Sequence, residues 1–355
     1  MPQPFRTPAV DFASERIDAL LITGSANVRY LSGYTGSNGL IVATPRSAIF
    51  FTDPRYTIQA SQEVSCRMKV VARGALLPAA AAALKRVKAR RVGFEKAHLS
   101  YEQHALLADR LPGVRLVPIG PAIERQRMVK SEEEIARIRR SVETNSKAFD
   151  RALKVIRPGA TEVDIAAEIE YHMRRLGAEK PAFETIVASG DRSALPHARP
   201  TSKKLGSSEL TLIDMGATEE GYASDMTRML YLGAPPSKIR RMYNAVLEAQ
   251  LAAIDAVRPN VTAERVDRAA RAVLEQHGLD RTFTHSTGHG LGLEIHEAPR
   301  LGKRDKTRLE AGMAITIEPG AYVEGFGGVR IEDTVVVTGA GCEILTPTPK
   351  ELITL

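Results

Sequence analysis

The sequence predicts an α/β domain followed by an α+β domain with a pseudo-two-fold internal repeat. Three observations carry that expectation. At 355 residues, and with roughly 150 residues to a domain, the chain is long enough for about two cores. Its first third alternates short apolar runs with helical stretches, the pattern of a sheet covered by helices. The remainder contains one structural unit twice.

Taken in order, Ala19 to Thr23, Leu40 to Ala43, Ala48 to Thr52, Val70 to Ala72, Val92 to Phe94 and Val114 to Pro118 read as strands. Tyr56 to Glu63, Pro78 to Lys88 and Tyr101 to Leu111 read as helices between them. Gly120 and Pro121 then interrupt the pattern, and a boundary is expected near Ala122, giving domains 1–122 and 123–355. From Ser131 a Ser-Glu-Glu-Glu start caps a long helix running towards Ile156.

The repeat follows. Arg157-Pro158-x-x-Thr161 recurs as Arg258-Pro259-x-x-Thr262, each threonine is expected to cap an amphipathic helix, and those helices end near Gly177 and Gly278. The offset is 101 residues for both the openings (258 − 157) and the ends (278 − 177). The echo continues into strands: Leu210 to Gly216 parallels Met313 to Gly320, each an apolar run, a carboxylate, one residue and a glycine. Further on, Asp225-Met226-Thr227 parallels Glu332-Asp333-Thr334. Each half thus supplies two carboxylates, one on each arm of a predicted hairpin.

Composition narrows the class. Hydrophobic residues are 43% and charged residues 26% of the chain, near the averages of soluble globular proteins. No run approaches the roughly 18 apolar residues of a membrane span, and Met1 to Val10 carries three prolines and no apolar signal core. Two distant cysteines, Cys66 and Cys342, form neither a disulfide framework nor a zinc motif, so a cytoplasmic protein is expected. The net charge of +7 invites a nucleic-acid reading, centred on Lys85, Arg86, Lys88, Arg90 and Arg91. That run alternates with Val87 and Ala89 without aromatics for base stacking, so it reads as the solvated face of a helix. No nucleic-acid or membrane partner is expected.

The carboxylates carry the chemistry. A turn at Glu219-Glu220 would set Asp214 opposite Asp225, and a turn in the Glu324 to Gly328 stretch would do the same for Glu318 and Glu332. Four carboxylates among apolar neighbours cannot stay ionised without cations, because burying an unpaired charge costs several kcal/mol. Two divalent ions balance them, held about 3.5–4 Å apart as in hydrolytic two-metal sites. Histidine completes the pattern: His285, His289 and His296 crowd one segment whose glycines at 288, 290 and 292 argue against a helix. An extended glycine-rich strand lets backbone approach the metals, with one imidazole as ligand and the others facing substrate. The Gly-x-Gly-x-Gly run lacks the strand-turn-helix setting of a nucleotide loop. Neither Gly-x-Ser-x-Gly nor a cysteine beside histidines offers a nucleophile. His197, in the Pro-bracketed loop Ser193 to Pro200, reads by itself as an ordinary loop residue.

Together these motifs resemble the pita-bread metallopeptidases, a family that includes prolidase, aminopeptidase P, methionine aminopeptidase and creatinase. The resemblance spans essentially the whole chain and rests on Ile213-Asp214-Met215-Gly216, Ser224-Asp225-Met226-Thr227-Arg228, Gly288-His289-Gly290, Glu318-Pro319-Gly320 and Val329-Arg330-Ile331-Glu332-Asp333-Thr334. It implies a pita-bread C-terminal domain whose metal ligands are Asp214, Asp225, His289, Glu318 and Glu332. Residues 1–122, with Tyr30-Leu31-Ser32-Gly33 and Thr52-Asp53-Pro54-Arg55-Tyr56, resemble the N-terminal domain of the proline-directed members, which methionine aminopeptidases lack. Creatinase lacks the metal ligands. What remains is hydrolysis of an Xaa-Pro bond, in dipeptides as by prolidase or, alternatively, at the start of longer peptides as by aminopeptidase P.

The resemblance also revises His197, because Ser193-Ala194-Leu195-Pro196-His197 is similar to a loop whose histidine contacts substrate. It implies that two divalent metals, manganese or cobalt with zinc or iron possible on the same donors, activate water while Glu318 accepts its proton. His197 and His296 then polarise the scissile carbonyl, and His285 shapes the proline side. Arg330 and Tyr322 are expected to support the ligands, and Arg300 to meet a substrate carboxylate. The implied partners are a peptide with proline second and a second copy of the chain in a homodimer. A non-enzymatic binding module is the competing class, but none of its expected ligand losses is present.

Overall fold

The computed structural model describes residues 4–66 and 68–355, so the first three residues of the Met1 to Val10 stretch lie outside it. The chain divides into two compact units, residues 1–127 and 128–355. The division falls after Arg127, towards the end of a helix, Ala122–Met128, that opens where the sequence suggested a boundary.

The first unit is a six-stranded mixed sheet flanked by helices. Its elements are β1 (Ala19–Ile22), α1 (Ser25–Ser32), β2 (Gly39–Ala43), β3 (Ala48–Thr52), α2 (Thr57–Glu63), β4 (Met68–Val71), α3 (Leu76–Arg86), β5 (Arg91–Glu95), α4 (Tyr101–Arg110), β6 (Arg115–Ile119) and α5 (Ala122–Met128), with sheet order β4-β3-β2-β1-β5-β6. Strands buried on both faces read as continuous apolar runs, and β1 is buried at every position. Ala19, Leu21, Val42, Phe51 and Val92 pack with Ala80, Leu84 and Leu107 of α3 and α4 on one face. Lys85, Arg86, Lys88 and Arg90 are exposed as expected, but only the first two lie on a helix, which ends at Arg86, and Arg91 is half-buried at the start of β5. Helix α1 escaped the sequence reading: its N-cap is Gly24, which makes no side-chain cap bond, and no acid marks its first turn.

The second unit shows the doubled plan. Its first half has α6 (Glu132–Ala152), α7 (Glu162–Leu176), β7 (Lys180–Pro181), β8 (Ile186–Ser189), β9 (Glu209–Met215), β10 (Ala217–Glu219), β11 (Tyr222–Ala223) and β12 (Met226–Leu232). Its second half has α8 (Ser237–Ala256), α9 (Ala263–Gln276), β13 (Gly288–Gly290), β14 (Glu297–Leu301), β15 (Ala314–Ile317), β16 (Gly320–Val323), β17 (Gly327–Arg330), β18 (Asp333–Val337), β19 (Cys342–Ile344) and β20 (Ile353–Thr354). Phe149, Ile165 and Ile169 of the first helix pair pack on Ile213, Met215 and Leu230, while Val246, Val266 and Leu274 of the second pair join Ile315, Ile317 and Val335. Among the described residues no helix is long and apolar enough to cross a membrane.

Caps follow the local sequence. Ser131 with Glu134 and Thr161 with Asp164 form reciprocal capping boxes at α6 and α7. Thr262 occupies the same place before α9 but makes no side-chain cap bond, and Arg265 at the third helical position cannot supply the reciprocal bond of a capping box.

The first hairpin is registered differently from the sequence expectation. Glu219 pairs with Tyr222, so the turn is Glu220-Gly221, with φ of 48° and 83°. Two consecutive residues with positive φ make a type I′ turn, which wants glycine second. Asp214 consequently faces Thr227, not Asp225. The slip is two residues, so Asp225 stays on the same face, one diagonal step away. In the second hairpin Ile317 pairs with Asp333 and Gly320 with Arg330, a register that sets Glu318 against Glu332 as anticipated.

Candidate metal centre

Five residues from both halves converge. Asp214 is the last but one residue of β9, Asp225 precedes β12, His289 is the middle of β13, Glu318 follows β15 and Glu332 precedes β18. Two of the three glycines beside His289 are there for contact: a Cβ at Gly288 would lie 2.0 Å from the Thr316 carbonyl oxygen, and one at Gly290 2.3 Å from that of Ala298. No other residue lets β13 sit so close to its neighbours.

The centre is short of positive charge. Burial and the neighbouring Glu332, Asp214 and Glu318 push Asp225 well above the ordinary carboxyl range. Burial, then Glu318 and Asp214, does the same to Glu332, and burial pushes Glu318 up to about 8. Burial holds the His289 imidazole down to about 4, so it is neutral at pH 7. Arg330 supplies one cation, with Nη2 donating to Asp214 Oδ2 at 2.6 Å, against four carboxylates.

The donor geometry fits divalent ions. His289 Nδ1 lies 3.0 Å from the Gly290 carbonyl oxygen, a contact that holds the proton on Nδ1 and leaves the Nε2 lone pair free. Nε2 faces Asp225 Oδ2 at 3.6 Å and Glu318 Oε1 at 3.4 Å. Asp225, His289 and Glu332 each bring a ligand atom within 4.8 Å of the others. Asp214 Oδ1 and Asp225 Oδ1 are buried with no hydrogen-bond partner. Orphaned carboxylate oxygens beside a neutral imidazole are acceptors waiting for a cation. A second acid-histidine group, Glu95, His98 and Glu124, is closed instead. Glu95 accepts from the Thr23 and Gly24 backbone and from Asn27, while Glu124 bonds Asn27 and His98.

Around these five residues, Arg330 also donates to the Tyr322 hydroxyl (2.8 Å), the Pro196 carbonyl (3.2 Å) and Thr227 Oγ1 (3.0 Å). Thr227 passes the chain on, donating to Glu332 Oε2 at 2.7 Å. Both ring nitrogens of His285 are engaged, Nδ1 with the Ser286 carbonyl and Nε2 with the Tyr322 hydroxyl, each at 2.8 Å. His296 is exposed and stacks edge-on to His289 with ring centroids 4.4 Å apart. Arg300 pairs with His289 across β13 and β14, and its Nε donates to Ser286 Oγ at 3.3 Å.

The five converging residues line one cavity of about 750 Å³ with Arg330, His285, His296, Arg300, His197 and the apolar Phe183, Ile186 and Ile295. A basic groove of about 950 Å³ lies beside it, sharing His285, Ser286 and Arg300 and adding Arg271, Lys303, Arg304 and Lys306. All eleven sequence-predicted residues are accounted for: Tyr322 sits behind the cavity wall on Arg330, and the other ten line it. Thr227 was not singled out for any role, although it lies in a quoted motif; the signal was a threonine two residues after Asp225, on the same strand face.

Comparison with known proteins locates this geometry. The family described as metallopeptidase family M24 matches residues 136–339, and the creatinase/prolidase N-terminal domain matches residues 10–129. The chain belongs to metallopeptidase family M24. Within M24, an Xaa-Pro dipeptidase of Pyrococcus horikoshii is 39% identical over 338 residues, 95% of each chain. A solved Xaa-Pro dipeptidase from Bacillus anthracis superposes with a TM-score of 0.94 at 38% identity, covering 97% of both chains. An X-Pro aminopeptidase from Thermotoga maritima gives 0.90 at 37% identity, covering 97% of this chain and all of its own. The M24 match also identifies the second unit's doubled arrangement as the pita-bread fold, and divalent metal ions belong to the chemistry of this metallopeptidase family.

Proposed function

We propose that the chain is an Xaa-Pro dipeptidase that cleaves the bond before proline, with two divalent ions held by Asp214, Asp225, His289, Glu318 and Glu332. The observation that carries this reading is the pair of buried, partnerless carboxylate oxygens, on Asp214 and Asp225, in a cavity that the neutral His289 imidazole also lines. When bound, the ion pair supplies a nucleophilic water at neutral pH and polarises a carbonyl. Glu318, whose Oε1 is held by the Thr316 hydroxyl at 3.3 Å, offers Oε2 to take the proton. His197 and His296 donate to the scissile carbonyl oxygen as charge develops on it. A proline nitrogen in an Xaa-Pro bond carries no hydrogen, so the site has to fit a ring there rather than pair a donor. His285, its nitrogens already taken, suits that wall. Arg300 opens the basic groove and meets the free proline carboxylate of a dipeptide.

Manganese or cobalt is the proposed pair, and zinc or iron fits the same oxygen-rich donors. Cys66 and Cys342 are both free, which supports a cytoplasmic setting. A homodimer completes the reading, and sedimentation velocity measures it. The volume of the groove that Arg300 shares, about 950 Å³, favours one second reading, an aminopeptidase acting on longer peptides. The deciding comparison sets an Xaa-Pro dipeptide against the same dipeptide extended by one residue, under saturating manganese. A higher kcat/KM on the dipeptide, reduced in Arg300→Ala, supports the dipeptidase. A higher value on the tripeptide assigns the aminopeptidase, and no cleavage of either rejects both.

A further inference from the structure

Each half of the second unit contains a buried carboxylate that neither the metals nor the substrate needs. Glu162 opens α7 and is 0% exposed; Asp267 lies in α9 and is 1% exposed. Glu162 accepts the backbone N–H and the hydroxyl of Ser189, each at 2.9 Å, and those of Thr201 at 3.0 and 2.7 Å. Arg192 Nε adds a charged donor at 3.1 Å. Asp267 Oδ1 accepts the N–H and the hydroxyl of Thr287 at 3.2 and 2.9 Å, and Oδ2 accepts Arg271 Nε at 2.8 Å. The arginines reach onward: Arg192 Nη2 donates to the Arg199 carbonyl at 2.6 Å, and Arg271 donates to the carbonyls of Phe283, at 3.1 Å, and of His285.

The same three-part device is therefore built twice. A helix carboxylate takes both donors of a serine or threonine, and also the Nε of an arginine whose other nitrogens hold carbonyls further along. The residue itself is not repeated. The 101-residue offset carries Glu162 onto Ala263, and Asp267 lies one helical turn beyond that. What recurs is the arrangement, and in both halves it grips the segment that carries histidines. Ser189 to Thr201 brackets His197, and Phe283 to Thr287 holds His285 and runs directly into His289. The bonds from Thr201 and Ser189 outweigh burial and hold the Glu162 carboxyl below its ordinary range, so it grips as an anion.

We propose that Glu162 and Asp267 are twin positioning residues: Glu162 with Arg192 sets the His197 loop, and Asp267 with Arg271 sets His285 and the ligand His289. The proposal rests on the metal and substrate roles given to those histidines above. Catalytic groups tolerate displacements of only about 0.5 Å, and beside the Arg330 bond to the Pro196 carbonyl, the Ser189, Thr201 and Arg192 donors on Glu162 fix both ends of the stretch that carries His197.

The test uses full-length Glu162→Gln and Asp267→Asn, loaded with manganese, and three measurements. Chelator competition reads metal affinity, trypsin cleavage after Arg192, Lys203 and Lys204 reads loop opening, and Xaa-Pro dipeptide kinetics reads kcat apart from KM. E162Q is expected to speed cleavage in that loop and to lower kcat about 10- to 100-fold with metal affinity intact. D267N is expected to weaken metal binding by about 10- to 100-fold with the loop cleaved at the wild-type rate. Equal changes in both variants would mean general loosening and overturn the proposal, as would no change in either. Ser189→Ala and Thr287→Val, which each delete one hydroxyl, should divide the same way at smaller amplitude and serve if the first pair does not fold. Proteolysis and chelator competition need no substrate, so the proposal stands or falls by itself even if no proline peptide is cleaved.

Discussion

Asp225 and His197 sit in one cavity and answer to different physics. Asp225 is a buried acid with an orphaned oxygen, and Asp225→Asn removes a charge that a cation would otherwise meet. Loss of one metal equivalent and nearly all turnover is expected, measured by elemental analysis after dialysis. In the proposed mechanism His197 and His296 donate to the developing oxyanion, so His197→Ala or His296→Ala should lower kcat by about 10² to 10⁴ with metal content unchanged. Near-normal turnover in either would remove that residue from the mechanism. Glu162 allows a pH prediction. Its folded-state value lies below the 4.5 of a free carboxyl, so its stabilisation is complete above about pH 4.5 and is lost as pH falls through the lowered value. The melting temperature of Glu162→Gln should fall below wild type at pH 7, and the gap should close towards pH 3; a constant gap would contradict the linkage. At this scale the four clustered carboxylates were legible because they come as two echoing pairs. Glu162 and Asp267 were not, because an acid near the start of a helix usually faces water, and only tertiary packing buries these two.

Between residues and the whole, the elements show which signals a sequence carries. β3 (Ala48–Thr52) was readable to the residue because strand runs buried on both faces are unbroken apolar blocks. α1 was not, since nothing caps or charges its start. The first hairpin slipped because Glu219-Glu220 was taken as the turn while Gly221 already marked the next position. Propensity for positive φ outweighed symmetry of the acids, and the cost to the site was nil because a two-residue slip preserves the face. β13 makes the sharpest demand. Gly288→Ala drives a methyl into the Thr316 carbonyl at 2.0 Å, and backbone cannot step aside as a side chain can. A destabilisation of about 1–3 kcal/mol is expected, with His289 displaced and metal affinity reduced. Urea denaturation of the apoprotein isolates the packing effect, and chelator competition reads the displacement. A variant with wild-type stability would mean that β13 has room the structure does not show.

At the scale of the molecule, two units with separate cores make different predictions for metal removal. The sheet of residues 1–127 closes on its own apolar side chains, and its buried acids Asp53 and Glu95 are hydrogen-bonded within the unit. The second unit brings together strands from both halves around acids that repel one another once ionised. Removing divalent cations leaves that repulsion uncompensated, and the loss equals the binding free energy at the working concentration, about 2.7 kcal/mol per ion at a hundredfold excess over Kd. The doubled plan was readable from the 101-residue offset, yet the offset alone said nothing of where the halves meet. They meet where β12 and β18 begin: the Glu332 N–H donates to the Thr227 carbonyl, and Thr334 Oγ1 donates to the Asp225 carbonyl at 2.9 Å. Amide hydrogen exchange with and without chelator tests this strand by strand. Chelation should speed exchange in Glu209–Met215, Met226–Leu232, Ala314–Ile317 and Asp333–Val337 and leave Ala19–Ile22, Gly39–Ala43 and Arg91–Glu95 unchanged. Equal acceleration in both units would mean that the cations stabilise the chain from somewhere other than these five ligands.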